Sequence, residues 1–186
     1  ELSNLQRQIL HNDAAIGMNK AKSAKNFLEK LNPNIEVEAI EDKLDMDSMK
    51  EIAKSTDVII DCSDNFYTRY ALNQIAYDLK KPLVSGAAIK FEGQLSVVDL
   101  TSEVSPCYEC LFPDAKDEQE LRCADHGVFS PLVGMIGTAQ AAETIKILLS
   151  IGSPLVGKLA TLDIKTMRWQ TFIVKKDPHC KVCGTH

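Results

Sequence analysis

The chain has 186 residues, 45% hydrophobic and 25% charged, enough for one buried core and a single domain over residues 1–186, and its ordinary Gly and Pro content excludes a disordered or collagen-like chain. A formal net charge of −5 and a pI near 5.4 leave no surplus of cations for a nucleic-acid backbone, so no nucleic-acid partner is expected. No apolar run is expected to reach the roughly 20 residues that cross a bilayer, and residues 1–8 lack the basic start and apolar centre of a secretion signal. A soluble, cytoplasmic protein without a membrane partner is therefore expected, and because Glu1 is not Met, so is a preceding segment.

Between residues 19 and 31, Ala21, Ala24, Phe27, Leu28 and Leu31 recur at helical spacing and predict an amphipathic helix that ends at Asn32-Pro33. Ile35, Val37 and Ala39 then alternate with their neighbours in the period of a strand, and residues 45–54 return to a short helical pattern. The β-branched run Val58-Ile59-Ile60, closed by Asp61-Cys62-Ser63-Asp64, predicts a central parallel strand buried on both faces. Asp64 is expected to cap the next helix, whose apolar face is marked by Tyr67, Tyr70, Ala71, Ile75 and Leu79 before Lys80-Lys81-Pro82. Leu83-Val84-Ser85 reads as another strand. This alternation predicts an α/β fold, a Rossmann-like, mostly parallel sheet with helices on both faces. After Gly86 the rhythm changes: residues 89–99, 161–163 and 169–174 read as antiparallel strands extending one edge, and residues 132–151 as a buried or interface helix rich in small residues. The irregular stretch 101–131 is too long for an idle connection.

Four of the six cysteines form the pairs Cys107-Tyr-Glu-Cys110 and Cys180-Lys-Val-Cys183, a spacing that lets both thiolates of each pair reach one metal ion. Together they suit a tetrahedral, structural zinc site with no open position; redox pairs and disulfides are the alternatives. Cys123, near Arg122 and His126, is a candidate nucleophile and equally an ordinary loop cysteine, whereas Cys62 at a strand end reads as a core residue. Asp61 and Asp64 fall at the C-terminal end of a predicted parallel strand, the edge where α/β sheets bind ligands. Asp64 there is either a magnesium ligand between nucleotide phosphates or a helix cap. Arg7 and Lys20 are candidate phosphate contacts, though single surface cations are more often simply solvated. No glycine-rich phosphate loop occurs in the sequence.

Taken together, Leu2-Ser-Asn-Leu-Gln-Arg-Gln8, Lys20 after Gly17, Asp61-Cys-Ser-Asp-Asn65, Gly86-Ala-Ala-Ile-Lys-Phe-Glu-Gly93-Gln94 and the two cysteine pairs resemble the ThiF/MoeB-type members of the ubiquitin-activating-enzyme-like superfamily, over essentially the whole chain. The Gly-Ala-Ala-Ile-Lys-Phe-Glu-Gly run is closer to the molybdopterin-synthase adenylyltransferases than to the thiazole-pathway enzymes. The resemblance implies ATP- and Mg2+-dependent adenylation of the C-terminal glycine of a ubiquitin-like sulfur-carrier protein ending in Gly-Gly, for molybdenum-cofactor or thiamin biosynthesis, with a sulfur-donor protein following and a homodimer as the assembly. It implies Ser3, Asn4, Leu5, Gln6 and Arg7 as the nucleotide-contacting segment, Lys20 at the phosphates, Asp64 on Mg2+ with Asn65 beside it, and a variable covalent role for Cys123. It also implies a glycine-rich segment upstream of Ser3, without which the chain is expected to be an inactive fragment. The competing reading is a zinc-stabilised module that grips a carrier protein without catalysis; a nicotinamide-dependent dehydrogenase ranks last.

Overall fold

A computed structural model describes residues 2–102, 105–113 and 127–184. Contacts divide the chain into two compact units, Glu1–Leu44 and Asp45–His186. In the first, two short 3-10 turns, Leu2–Asn4 and Asp13–Ala15, precede helix α1, Lys20–Leu31. Asn19 starts that helix by accepting the Ala21 N–H at 2.8 Å, and its amide ties back to the Glu41 carbonyl at 2.9 Å. Asn32-Pro33 ends it as expected, because proline cannot continue the ladder. The strand expected at residues 35–40 does not form. Alternation decides which side chains would share a face, but a strand exists only where a neighbour completes its hydrogen bonds, and none does so among the described residues.

The second unit is a five-stranded sheet in the order β1-β2-β3-β4-β5. Its elements are α2 (Met46–Lys54), β1 (Ile59–Asp61), α3 (Phe66–Leu79), β2 (Leu83–Ile89), β3 (Glu92–Val98), α4 (Tyr108–Leu111), α5 (Ser130–Leu149), β4 (Lys158–Asp163) and β5 (Arg168–Ile173). The α/β architecture and its antiparallel extension match the expectation from sequence. Within this chain the parallel part is the β1·β2 pair, joined through α3, and the other three ladders are antiparallel. Strand β1 corrects one detail: it is an edge of the sheet rather than its centre, with Ile59 buried and Ile60 46% exposed.

Side-chain alternation builds two apolar layers. Leu83 turns to one face, where it packs with Ile59 and Val98 against Ile75 and Ala76 of α3. Its neighbour Val84 turns to the other, with Leu95, Val97 and Ala160 beneath α5. Tyr67, expected on the apolar face of α3, is exposed, and Ala71, Asn73, Ile75 and Ala76 are the helix's buried residues. Helix α2 is capped by Asp45, which accepts from the Ser48 N–H at 2.8 Å and is held below the usual carboxylate range by its hydrogen bonds to Ser48.

Helix α5 corrects the expectation about apolar runs, since by length and composition it could cross a bilayer. Here it packs on β2 and β3 and carries buried polar residues inward: Glu143 Oε2 accepts the Leu155 N–H at 2.7 Å, and Gln140 Nε2 donates to the carbonyls of Asp61, at 2.8 Å, and Val84, at 3.4 Å. The Gln140 amide can lie there because Gly86 has no side chain; a Cβ on that residue would stand 2.3 Å from Gln140 Cδ and 2.4 Å from its Oε1. Gly86→Ala is expected to drive this amide off both carbonyls and to lower stability by about 1–3 kcal/mol. Urea unfolding checks this as a reduced midpoint at an unchanged slope, and a midpoint equal to that of the parent protein would contradict it.

Candidate functional site

In the first unit, the opening 3-10 turn folds residues 2–8 onto themselves. Leu5 N–H bonds Leu2 O at 3.1 Å, and Asn4 O receives the N–H groups of Arg7, at 3.1 Å, and Gln8, at 3.0 Å. The turn brings Arg7 back over Ser3 and Asn4. Its Nη2 donates to Asn4 Oδ1 at 2.9 Å and its Nη1 to Ser3 O at 3.3 Å, so two residues of the expected nucleotide segment orient the guanidinium while Gln6 stays exposed. Lys20 is exposed at the first turn of α1 and shares a small pocket with Leu5, Gln8, His11 and Asn12. His11 Nδ1 lies 2.8 Å from the buried Ser23 Oγ, a pair that no sequence motif announced.

In the second unit, the loop after β1 is built around a buried carboxylate. Asp61, 1% exposed, accepts at Oδ1 from the Ser63 N–H, at 2.9 Å, and the Ser63 hydroxyl, at 2.6 Å, and at Oδ2 from the Ser85 hydroxyl on β2, at 2.8 Å. Arg69 on α3 closes the loop from below, its Nη2 donating to Ser63 O at 2.5 Å and to Gly86 O at 3.5 Å. Sequence reading missed Arg69, because an arginine inside a helix carries no mark of which carbonyls it reaches. The helix cap is Asn65 rather than Asp64: Asn65 Oδ1 accepts the Thr68 N–H at 2.8 Å. Both residue types can cap, and the turn set by Asp61 and Ser63 brings the amide into register, leaving Asp64 exposed with a long 3.5 Å contact from Asn65 Nδ2.

Cys62 is exposed rather than in the core. It follows buried Asp61 in the strand alternation and so falls on the other face of the sheet, within reach of Gln140 on α5. Desolvation and the Asp61 charge push its thiol up, against a hydrogen bond with Gln140.

Cys107, Cys110, Cys180 and Cys183 converge, with all four sulfurs within 4.8 Å of one another. Adjacent Sγ atoms are 3.9 Å apart for Cys107 and Cys110, 3.5 Å for Cys107 and Cys180, and 3.4 Å for Cys110 and Cys183. A disulfide needs about 2.05 Å, whereas sulfurs about 2.3 Å from a central ion stand about 3.8 Å apart at tetrahedral corners. The donor set therefore fits a metal ion. Each pair is turned by its own backbone, Cys110 N–H bonding Cys107 O at 3.1 Å and Gly184 N–H bonding Cys180 O at 2.9 Å. Gly184 is needed for that approach, since a Cβ there would meet Cys180 O at 2.5 Å. The Asp177 N–H donates to Cys110 Sγ at 3.4 Å. Burial pushes the Cys107 thiol well up and that of Cys183 to about 11. Burial acts on Cys180 in the same direction, but backbone hydrogen bonds from Cys183 and Val182 outweigh it and leave that thiol below its ordinary value. Cys123, the candidate nucleophile, lies outside the described residues.

The ThiF family model matches residues 1–182. The chain is 41% identical over 183 residues to the molybdopterin-synthase adenylyltransferase of Salmonella typhimurium, covering 98% of this chain and 73% of that one. It is 42% identical over 188 residues to the sulfur carrier protein adenylyltransferase of Thermus thermophilus, covering 99% and 69%. Among solved structures, the microcin C7 biosynthetic enzyme MccB in complex with N-formylated MccA superimposes with a TM-score of 0.83 at 21% identity, over 99% of this chain. The chain spans 57% of that structure's length.

The two neighbouring carboxylates should separate under mutation. Asp61→Ala strands the Ser63 and Ser85 donors in the interior and is expected to cost about 3 kcal/mol. Asp64→Ala should stay within about 0.5 kcal/mol of the parent, as an exposed site does. Thermal unfolding of both variants checks the contrast, and equal losses would refute it.

Proposed function

Because the chain belongs to the ThiF family, we propose that it adenylates the C-terminal glycine carboxylate of a ubiquitin-like sulfur-carrier protein ending in Gly-Gly, as an ATP-dependent, soluble cytoplasmic enzyme of molybdenum-cofactor or thiamin biosynthesis. The carrier carboxylate attacks the α-phosphorus of ATP, the bond to the bridging oxygen breaks, and pyrophosphate leaves; a sulfur nucleophile of a donor protein then attacks the acyl carbon, the C–S bond forming as the C–O bond to the phosphate breaks and AMP leaves. A carboxylate is already a nucleophile, so the step needs alignment and charge stabilisation rather than a general base. Arg7, oriented by Asn4 and Ser3, and Lys20 supply positive charge for the phosphates, with Leu5 and Gln6 completing the nucleotide segment. Asp64, with Asn65 beside it, would hold Mg2+, which neutralises phosphate charge when bound.

The observation that carries this reading is the division between Asp61 and Asp64. The fold consumes the oxygens of the first and leaves the second exposed at the C-terminal end of a parallel strand, where α/β sheets bind ligands. Cys107, Cys110, Cys180 and Cys183 are proposed as a zinc site: four thiolates match that ion, and a full ligand set gives zinc a structural role. Ile145, Leu148, Leu149 and Ile151, at the exposed C-terminal end of α5 and just beyond it, support a homodimer, since a contiguous apolar patch is more stable covered.

ATP–pyrophosphate exchange, run with and without a carrier ending in Gly-Gly and with and without a glycine-rich segment joined ahead of residue 1, tests the activity. Carrier-dependent exchange is expected, and Arg7→Ala or Asp64→Ala should each lower it about 100-fold or more with unfolding curves unchanged. Near-parental rates in either variant would remove that residue from the site, and no exchange at all would favour the non-catalytic carrier-binding module. Native mass spectrometry of protein prepared without chelator should show a dimer with one zinc per chain, and zinc-free or monomeric species would count against those two assignments.

A further inference from the structure

Asn73 lies on the buried face of α3 with no exposed surface. Its Oδ1 accepts the Tyr108 N–H at 2.8 Å, the peptide that directly follows Cys107. Its Nδ2 is the one buried side-chain nitrogen or oxygen that has no hydrogen-bond partner among the described residues. Leaving an amide donor dry and unpaired costs about 1–3 kcal/mol, and turning the amide over offers no escape, because Nδ2 would then meet the Tyr108 N–H, donor against donor. The orientation is therefore set by the backbone, and the free N–H is left for an acceptor that becomes strong only in another state. Cys107 is that acceptor. Its buried side chain belongs to the same packed cluster as Ile75 and Ala76 of α3, and its carbonyl carbon begins the peptide that Oδ1 holds. A neutral thiol is a weak acceptor, whereas a metal-bound thiolate is a strong one. The Asp177 N–H already serves Cys110 in the same way.

We infer that Asn73 is a positioning residue of the metal centre, its Oδ1 fixing the Cys107-Tyr108 peptide and its Nδ2 reserved for the Cys107 sulfur as a metal-bound thiolate. This rests on the zinc reading of the four cysteines given above. The amide sets the direction of the Cys107 lone pairs and spreads the thiolate's charge, as an outer partner of a metal ligand does. It also explains why a polar residue occupies this point on α3, where its neighbours Ile75 and Ala76 are apolar and fully buried.

The test uses the whole chain loaded with cadmium-113 in place of zinc, after metal content has been counted. Fewer than one metal per chain would overturn the zinc reading and this inference together. With one metal bound, the expected result is a scalar coupling between cadmium and an Asn73 Nδ2 proton, with that proton shifted from its position in the metal-free chain. An uncoupled, unshifted proton would overturn the inference alone. Asn73→Ala should weaken metal affinity about 10- to 100-fold in competition with a chromophoric chelator. Leu95→Ala, a core change in the cluster without cysteines, should lower stability while keeping affinity within about twofold. Equal affinity in Asn73→Ala and the parent would also refute the role, and if Asn73→Ala does not fold, the coupling in the unsubstituted chain decides.

Discussion

The second unit is organised around a charge that cannot reach water. Asp61 is buried at the end of an edge strand, and a carboxylate there is tolerable only if its oxygens are taken up. Ser63 and Ser85 supply side-chain donors and the turn itself a backbone N–H. Each partner also fixes geometry: Ser85 ties the end of β1 to β2, and Ser63 reverses the chain immediately after the strand. The Asp61 carbonyl is held as well, by Gln140 from the opposite helix layer. Arg69 completes the set from α3 through Ser63 O and Gly86 O. One buried anion thus locks two strands, a turn and α3 into one arrangement, while the amide on α5 holds its backbone.

Helix α3 carries this order to the cysteines. Arg69 Nη1 reaches the Tyr108 hydroxyl at 3.5 Å, the Tyr70 hydroxyl donates to Phe112 O at 2.7 Å, and Tyr70 and Tyr108 meet edge to face at 5.8 Å between ring centres. Burial pushes the Tyr108 phenol up, against the attraction of Arg69, so the ring stays neutral beside a cation. The helix that starts at the Asn65 cap is in this way bolted along its length to the first cysteine pair. Because the second pair comes from the tail, a metal would join segments some seventy residues apart in sequence, and closing so long a loop restricts the unfolded chain strongly.

Much of this was legible in the sequence because it rests on local rules. Helices α1, α2 and α3 follow apolar spacing, α5 follows a long run of apolar and small residues, and β2 to β5 follow short apolar or alternating runs. The cysteine pairs announced their convergence, since the two-residue gap has few other uses. Residues 35–40 misled because periodicity describes a face and says nothing about a neighbour. The burial of Ile60 failed for a related reason: an apolar run cannot tell an edge from a centre. Asp64 was expected to cap α3 and Asn65 does so instead, because the choice depends on a turn that is set by Ser63. Arg69, Asn73 and Gln140 were invisible. Each is a polar residue inside a helix, and only the assembled fold shows that its partners are buried carbonyls, a peptide N–H and a thiol.

The two acidic residues of this loop show how fold and chemistry divide adjacent positions. A buried carboxylate with three of its roughly four acceptor positions filled by protein donors has little left for an external cation. One that is exposed contributes almost nothing to stability but keeps its full capacity for a ligand. Asp61 and Asp64 lie at these extremes within one turn, and the first creates the second: without the Asp61 and Ser63 bonds the chain would not leave β1 at the angle that turns Asp64 outward and lets Asn65 cap α3. A four-cysteine site carries the same logic further, because a metal with four protein ligands has no position for substrate. Its effect on the loop can only be mechanical, and α3, gripped by Asn73 and Arg69 at one side and capped by Asn65 at its start, is the element through which that effect would travel.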